Sequence, residues 1–200
     1  MTFNKIRIRD DDVLVTSSGF PGKEFQRFKG FHNIILQDPA HFIHIGAVLV
    51  TEIQQFPECI EFLKQETREG RFVPEVHGLH HIDYASLSFE DIVSHLTTCR
   101  KFIEDNFEYS PTKFYTPWGA GADSRGAHIR PAAATVGFDL VTCENLIKIS
   151  RVRSDVVLVK ENLLTNEELL KRWEGKEIIL HWWEGVGALN ETVQHFGGIK

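Results

Sequence analysis

The chain has 200 residues, 42 % of them apolar and 25 % charged, ordinary globular usage that excludes a disordered or fibrous protein. Its 22 basic and 28 acidic residues leave a net charge of −6 with no block of either sign, which excludes a nucleic-acid binder built on phosphate contacts. No apolar run is long enough for a signal peptide or a bilayer span, so a cytoplasmic protein without membrane partners is expected.

In chain order, residues 5–9 alternate apolar and basic and predict a strand that runs into an acid-rich loop, Asp10-Asp11-Asp12. A turn cluster at 19–22 precedes a helix over 23–37, whose apolar face is Phe25, Phe28, Phe31, Ile34 and Ile35. Residues 41–51 read as a buried strand, and 56–69 as a helix with Gly70 at its C-terminal end. A strand over 72–76 and a helix over 89–107 follow, the helix opened by Ser88 and Asp91 in the spacing of a capping box. Next come a short strand at 113–116, a helix around 124–136, strands at 138–142 and 155–159, a helix from 165 to 173 and a last strand over 177–182.

About seven strands interleaved with helices predict parallel pairing through right-handed crossovers. Neither G-x-G-x-x-G nor G-x-x-x-x-G-K-[ST] follows a strand, so nucleotide-binding open sheets lack support. The expectation is an α/β fold, a distorted (β/α)-barrel of about seven parallel strands, with residues 1–200 as one domain. Chemistry in such folds gathers at strand ends. Three ends carry suitable groups: Asp10-Asp11-Asp12, His77-Gly78-Leu79-His80-His81, and His181 after Ile178-Ile179-Leu180. One carboxylate with two imidazoles suits a divalent transition metal with open positions, zinc first, with cobalt, nickel or iron as alternatives.

Taken together these segments resemble the polysaccharide deacetylase family, the NodB-homology carbohydrate esterases. The family's T-F-D-D-G is similar to Arg9-Asp10-Asp11-Asp12-Val13, and its H-[ST]-x-x-H to residues 77–81, with glycine at the hydroxyl position. Its R-x-P-[WYF]-G is similar to Tyr115-Thr116-Pro117-Trp118-Gly119, and its L-x-H to Ile179-Leu180-His181. The resemblance spans residues 5–182. It implies that Asp12, His77 and His81 hold the metal, that Asp11 is the general base and His181 the general acid, and that the Trp118 N–H holds an oxyanion. The implied reaction removes N- or O-linked acetyl groups from an acetylated sugar or polysaccharide.

Two departures stand out. Tyr115 occupies the place of the arginine that orients the base in the family, leaving Arg9 as the candidate for that task. The D-x-x-D-W motif has only Thr142-Cys143-Glu144-Asn145 at its place, with Glu144 as a candidate partner of His181. Two further readings stay open: a metal hydrolase of another amide or a phosphoester, and a degenerate deacetylase fold that binds sugar or serves as a structural part of an assembly. Asp10 reads as a solvated or structural acid, and His80 as turned away from the ligands. Trp118, Trp182 and Trp183 suit either sugar stacking or a barrel rim, and Asp83 and Tyr84 either the cleft or a turn before a helix. His32, His41, His44, His95, His128 and His195 read as structural or surface residues, and Cys59, Cys99 and Cys143 as buried thiols.

Overall fold

The computed structural model describes residues 6–14, 22–37, 42–122, 124–141, 146–148 and 177–182. Its strands are β1 (Ile6–Val13), β2 (Phe42–Leu49), β3 (Phe72–Gly78), β4 (Lys113–Tyr115), β5 (Asp139–Val141), β6 (Leu146–Lys148) and β7 (Glu177–Leu180). They form one sheet in the order β5-β4-β3-β2-β1-β7-β6, and every pairing is parallel. The helices are α1 (Glu24–Ile35), the single turn α2 (Val50–Ile53), α3 (Pro57–Arg68), α4 (Phe89–Phe107) and α5 (Ile129–Val136).

The order is that of one-directional winding, because β2 to β5 follow in sequence on one side of β1 while β7 and β6 stand on the other. A doubly wound sheet would cover both faces with helices. Here Phe72, Val76, Phe114 and Leu140 pack into a single large core with Phe28 and Phe31 of α1, Leu63 of α3, Leu96 of α4 and Ala133 of α5. The intervening strand residues point the other way, where Ile45, Ala47 and Tyr115 pack with Val73 and Val141 in a smaller cluster. The parallel α/β expectation is met. Among the described residues β5 and β6 are not paired, so the sheet has two edges and the expected closed barrel is not observed.

Local details follow from residue chemistry. β1 does not stop before the acids: Asp10 pairs with Gly46 and Val13 with Val48, with a register shift between them. The acid run is therefore a bulged strand end, not a loop. Gly46 is required because a Cβ there would lie 2.2 Å from the Phe72 ring. Residues 50 and 51, expected in β2, already belong to α2. Pro57 opens α3, and Gly70, at φ +68, lies just past its end. Ser88 caps α4 by accepting the Asp91 N–H at 3.1 Å and donates its hydroxyl to the Asp91 carboxylate at 2.7 Å. The helix expected over 124–136 begins only at Ile129, after a separate turn at Ser124–Gly126. β6 was not expected, and the strand expected at 155–159 and the helix at 165–173 lie outside the described residues. No helix among the described residues is long and apolar enough to cross a membrane.

Candidate metal centre and active site

The C-terminal ends of the strands surround a cavity of about 360 Å³. Asp11 and Asp12 reach it from β1, His77 from β3, Thr116, Trp118 and Gly119 from the turn after β4, and His181 from the residue after β7. Val141 and Ile179 line the same cavity. Their strands, β5 and β7, stand five spacings apart, about 24 Å in a flat sheet, so the sheet is strongly curled around the site.

Asp12, His77 and His81 converge there, each offering one ligand atom, all within 4.8 Å of one another. Asp12 Oδ1 lies 3.0 Å from His77 Nε2 and 3.1 Å from His81 Nε2, while Oδ2 lies 3.9 Å from His181 Nε2. The bulge makes this convergence: Asp12 sits at φ +59, outside regular strand geometry, two residues after Asp10 leaves the ladder. His77 is almost fully buried, and its Nδ1 lies 2.7 Å from the Tyr115 carbonyl oxygen. A carbonyl can only accept, so Nδ1 carries a proton, and in its neutral form His77 turns the lone pair of Nε2 toward a carboxylate oxygen. Asp12 Oδ1 is itself buried without an aligned hydrogen bond. Lone pairs facing one another need a cation between them, and a carbonyl fixing the far imidazole nitrogen is the usual arrangement behind a metal ligand. The donor set therefore fits a divalent metal.

The charges are mutually adjusted. Burial opposes ionisation of Asp12, but the close approach of His77 and the imidazoles of His81 and His181 hold it below the ordinary carboxylate range. Burial works against a charged His77, and the contact with Asp12 and the field of Asp11 raise it nonetheless. Burial lowers His81, against the pull of Asp12.

Asp11 stands beside this cluster on the same cavity wall. The Arg9 guanidinium reaches it twice, donating from one terminal nitrogen to Oδ2 at 3.0 Å and placing Nε 2.8 Å from Oδ1. Asp10 is not solvated. It is fully buried and accepts the Trp182 N–H at 2.9 Å, and burial pushes its carboxyl well above the ordinary range. Trp182 is also buried, its indole N–H donating to the Asp12 carbonyl at 3.2 Å, so it fills the rim and braces the bulge from behind. Trp118 is different: it is 69 % exposed, held at φ +53 in a tight turn, with its ring edge-on to His81 at 4.5 Å. It lies among the first residues of that turn, where an N–H has no acceptor within the turn.

The glycine at the hydroxyl position of the histidine motif has a structural cause. Gly78 has φ +137, and a Cβ on it would lie 2.6 Å from the Tyr84 hydroxyl, which accepts the Leu79 N–H at 2.9 Å. Tyr84 is thus a buried support below the histidine segment, while Asp83 caps the turn at 84–86. His80 packs against His95 at 5.7 Å, away from the ligands. His32 and His44 are completely buried, and His128 meets the Leu87 carbonyl through its Nε2 at 2.8 Å. Cys59 and Cys99 are buried thiols whose ionisation burial suppresses. Residues 142–145 with Glu144 and Cys143, and also Trp183, His41 and His195, lie outside the described residues. The residue whose importance the sequence hid is Tyr115; an aromatic standing where an arginine was expected was the available signal.

No family model matches the chain, and no curated protein matches it significantly. Solved structures do. A family 4 carbohydrate esterase from Streptomyces lividans, in complex with acetate, aligns over 99 % of this chain and 90 % of its own, with TM-score 0.67 and 16 % identity. The peptidoglycan deacetylase PdaC from Bacillus subtilis aligns over 98 % of this chain and 84 % of its own, with TM-score 0.58 and 14 % identity. A CE4 family pseudoenzyme from Bacillus anthracis aligns over 98 % of this chain and 62 % of its own, with TM-score 0.60 and 13 % identity. At such identities the likeness establishes the fold, that of the carbohydrate esterase and polysaccharide deacetylase structures.

Proposed function

We propose that this chain is a metal-dependent hydrolase that removes N- or O-linked acetyl groups from a carbohydrate or sugar-containing substrate, on a sheet curled toward a seven-stranded barrel. The observation that carries the reading is the Asp12, His77 and His81 cluster, with Asp11 and His181 on the same cavity. Acetate bound by the Streptomyces esterase of the same fold supports the acyl group. A divalent ion, zinc by the chemistry of two imidazoles and a carboxylate, supplies Lewis-acid polarisation of the acyl carbonyl and activation of water when bound.

The chain's own residues supply the proton steps. Asp11, oriented by Arg9, takes the proton of the attacking water. The Trp118 N–H donates to the oxygen that gains charge as the carbonyl carbon becomes tetrahedral. His181, across the cavity, gives a proton to the leaving amine or alcohol. The exposed indole of Trp118 offers an aromatic face to a sugar ring. A pseudoenzyme among proteins of this fold makes loss of activity the competing reading, and the arginine missing from the third motif is its support. Against it stand the convergent ligand atoms and an Asp11 that is held by Arg9 instead.

The test is bound metal in wild type, His77→Ala and Asp12→Ala, together with acetate release from acetylated mono- and oligosaccharides and phosphate release from generic phosphoesters. Loss of metal in both variants and acetate release by wild type alone are expected. Equal metal in all three proteins, or phosphate release without acetate release, overturns the reading.

A further inference from the structure

One residue, Tyr115, touches both His77 and the arginine that grips Asp11. Tyr115 is 1 % exposed at the end of β4, its ring packed with Ile45 and Ala47 of β2 and with Val73 and Val141. The Arg9 guanidinium carbon lies 4.2 Å from the centre of that ring. β1 and β4 are three strand spacings apart, about 14 Å in a flat sheet, so the two side chains meet across the concave face and not along a ladder. Arg9 in turn holds both oxygens of Asp11, and the Tyr115 carbonyl oxygen fixes His77 Nδ1. Ring and carbonyl of one residue thus face the two halves of the site.

We propose that Tyr115 is a positioning residue: its π face is the shelf on which Arg9 lies, and through Arg9 it sets the direction of the Asp11 carboxylate. This rests on Asp11 serving as the general base. A guanidinium over an aromatic face is attracted by the ring quadrupole, most strongly where water is excluded, and Arg9 is only 4 % exposed. Arginine has several rotatable bonds, so loss of the shelf loosens the orientation of the fork that grips Asp11. The two functions of Tyr115 separate cleanly on mutation, because the ring is removed by substitution and the carbonyl is not.

Tyr115→Leu should therefore lower kcat by roughly tenfold or more beyond Tyr115→Phe, which keeps the π face, with KM and metal affinity changed little between the two. In an Arg9→Met background, Tyr115→Leu should lower kcat no further, since the ring acts through Arg9. A second readout needs neither metal nor substrate: in the metal-free protein the Arg9 Nε–H resonance should be ring-shifted and slow to exchange in wild type and Tyr115→Phe, and lose both properties in Tyr115→Leu. Should Tyr115→Leu fail to fold, phenylalanines of increasing fluorination at position 115 weaken the π face at nearly constant shape, and kcat and the Arg9 shift should fall stepwise. Additive losses in the double variant, or an Arg9 resonance indifferent to the ring, overturn the proposal. If no acetylated sugar is hydrolysed, the deacetylase reading fails while the resonance experiments still decide the role of Tyr115.

Discussion

Acid should destabilise this protein through a buried histidine pair remote from the cavity. His32 of α1 and His44 of β2 meet through their Nδ1 atoms at 2.7 Å, and His32 Nε2 lies 3.0 Å from Glu66 of α3. Arg71 grips Glu66 with contacts of 2.6 and 2.7 Å, holding its carboxyl below the ordinary range, with His32 adding to the effect. Glu66 is thus an acceptor, His32 donates to it from Nε2, and His44 donates from Nδ1 to the remaining lone pair of His32. His44 Nε2 is left buried without a partner among the described residues, in a cage of Phe28, Phe31 and Phe72. A second proton there would have no acceptor. Burial, with His32 nearby, accordingly pushes His44 well below the ordinary histidine range, and burial lowers His32 despite Glu66. The sign follows from linkage: below about pH 6.5 the unfolded chain binds protons at these histidines that the native state refuses, so stability falls as pH falls. At pH 5.5 a histidine that stays neutral only in the native state costs about 1.4 kcal/mol. Urea unfolding between pH 7.5 and 5.5, wild type beside His44→Phe, isolates the pair from the other histidines. The variant's curve should be flatter by about 1.4 kcal/mol over that interval, and parallel curves would refute the assigned protonation states.

Three further outcomes are expected. Asp11→Asn should retain bound metal, measured by elemental analysis, and lose roughly 10²–10⁴-fold in kcat, because the proton acceptor goes while the ligands stay. Trp118→Ala should raise KM for an acetylated sugar by roughly 2- to 12-fold, equivalent to about 0.5–1.5 kcal/mol of aromatic contact, while the peptide N–H is still there. Gly78→Ala should lower stability by about 1–3 kcal/mol in chemical denaturation, since its Cβ would press on the Tyr84 hydroxyl at a φ that L residues rarely adopt.

Much of the fold was legible because it rests on local pattern. Phe28, Phe31 and Ile35 face the core at helical spacing, and strand and helix alternate as parallel winding demands. The acid run was not legible as a strand: three consecutive aspartates look solvated, and only a partner strand that pairs with Asp10 and Val13 reveals the bulge. The same bulge divides the three acids among burial, Arg9 and the imidazoles, a division that spacing cannot supply. Trp118 and Trp182 illustrate the limit from the other side. Both stand just beyond a strand, yet one is exposed and the other buried, because Trp182 finds two acceptors in β1 and the turn holding Trp118 bends it outward.

Two of the departures from the motif pattern, those at residues 78 and 115, share one explanation. A hydroxyl side chain is absent at residue 78, and a phenol hydroxyl from residue 84 occupies that space and takes the neighbouring Leu79 N–H. A guanidinium is absent at residue 115, and one from residue 9, two positions before Asp11 on β1, grips Asp11 while lying on the ring that stands at 115. In both cases a group of the missing kind is supplied from another position of the chain. Each move forces a partner: glycine at 78 so that Tyr84 fits, and an aromatic at 115 so that Arg9 has a surface to lie on. Restoring a motif residue singly should therefore harm the protein, because serine at 78 meets Tyr84 and arginine at 115 meets Arg9. Tyr115→Arg alone should lose kcat, and Arg9→Thr combined with Tyr115→Arg should regain part of it. A double variant no better than the single one would show that the two positions are independent and that the exchange is not compensatory.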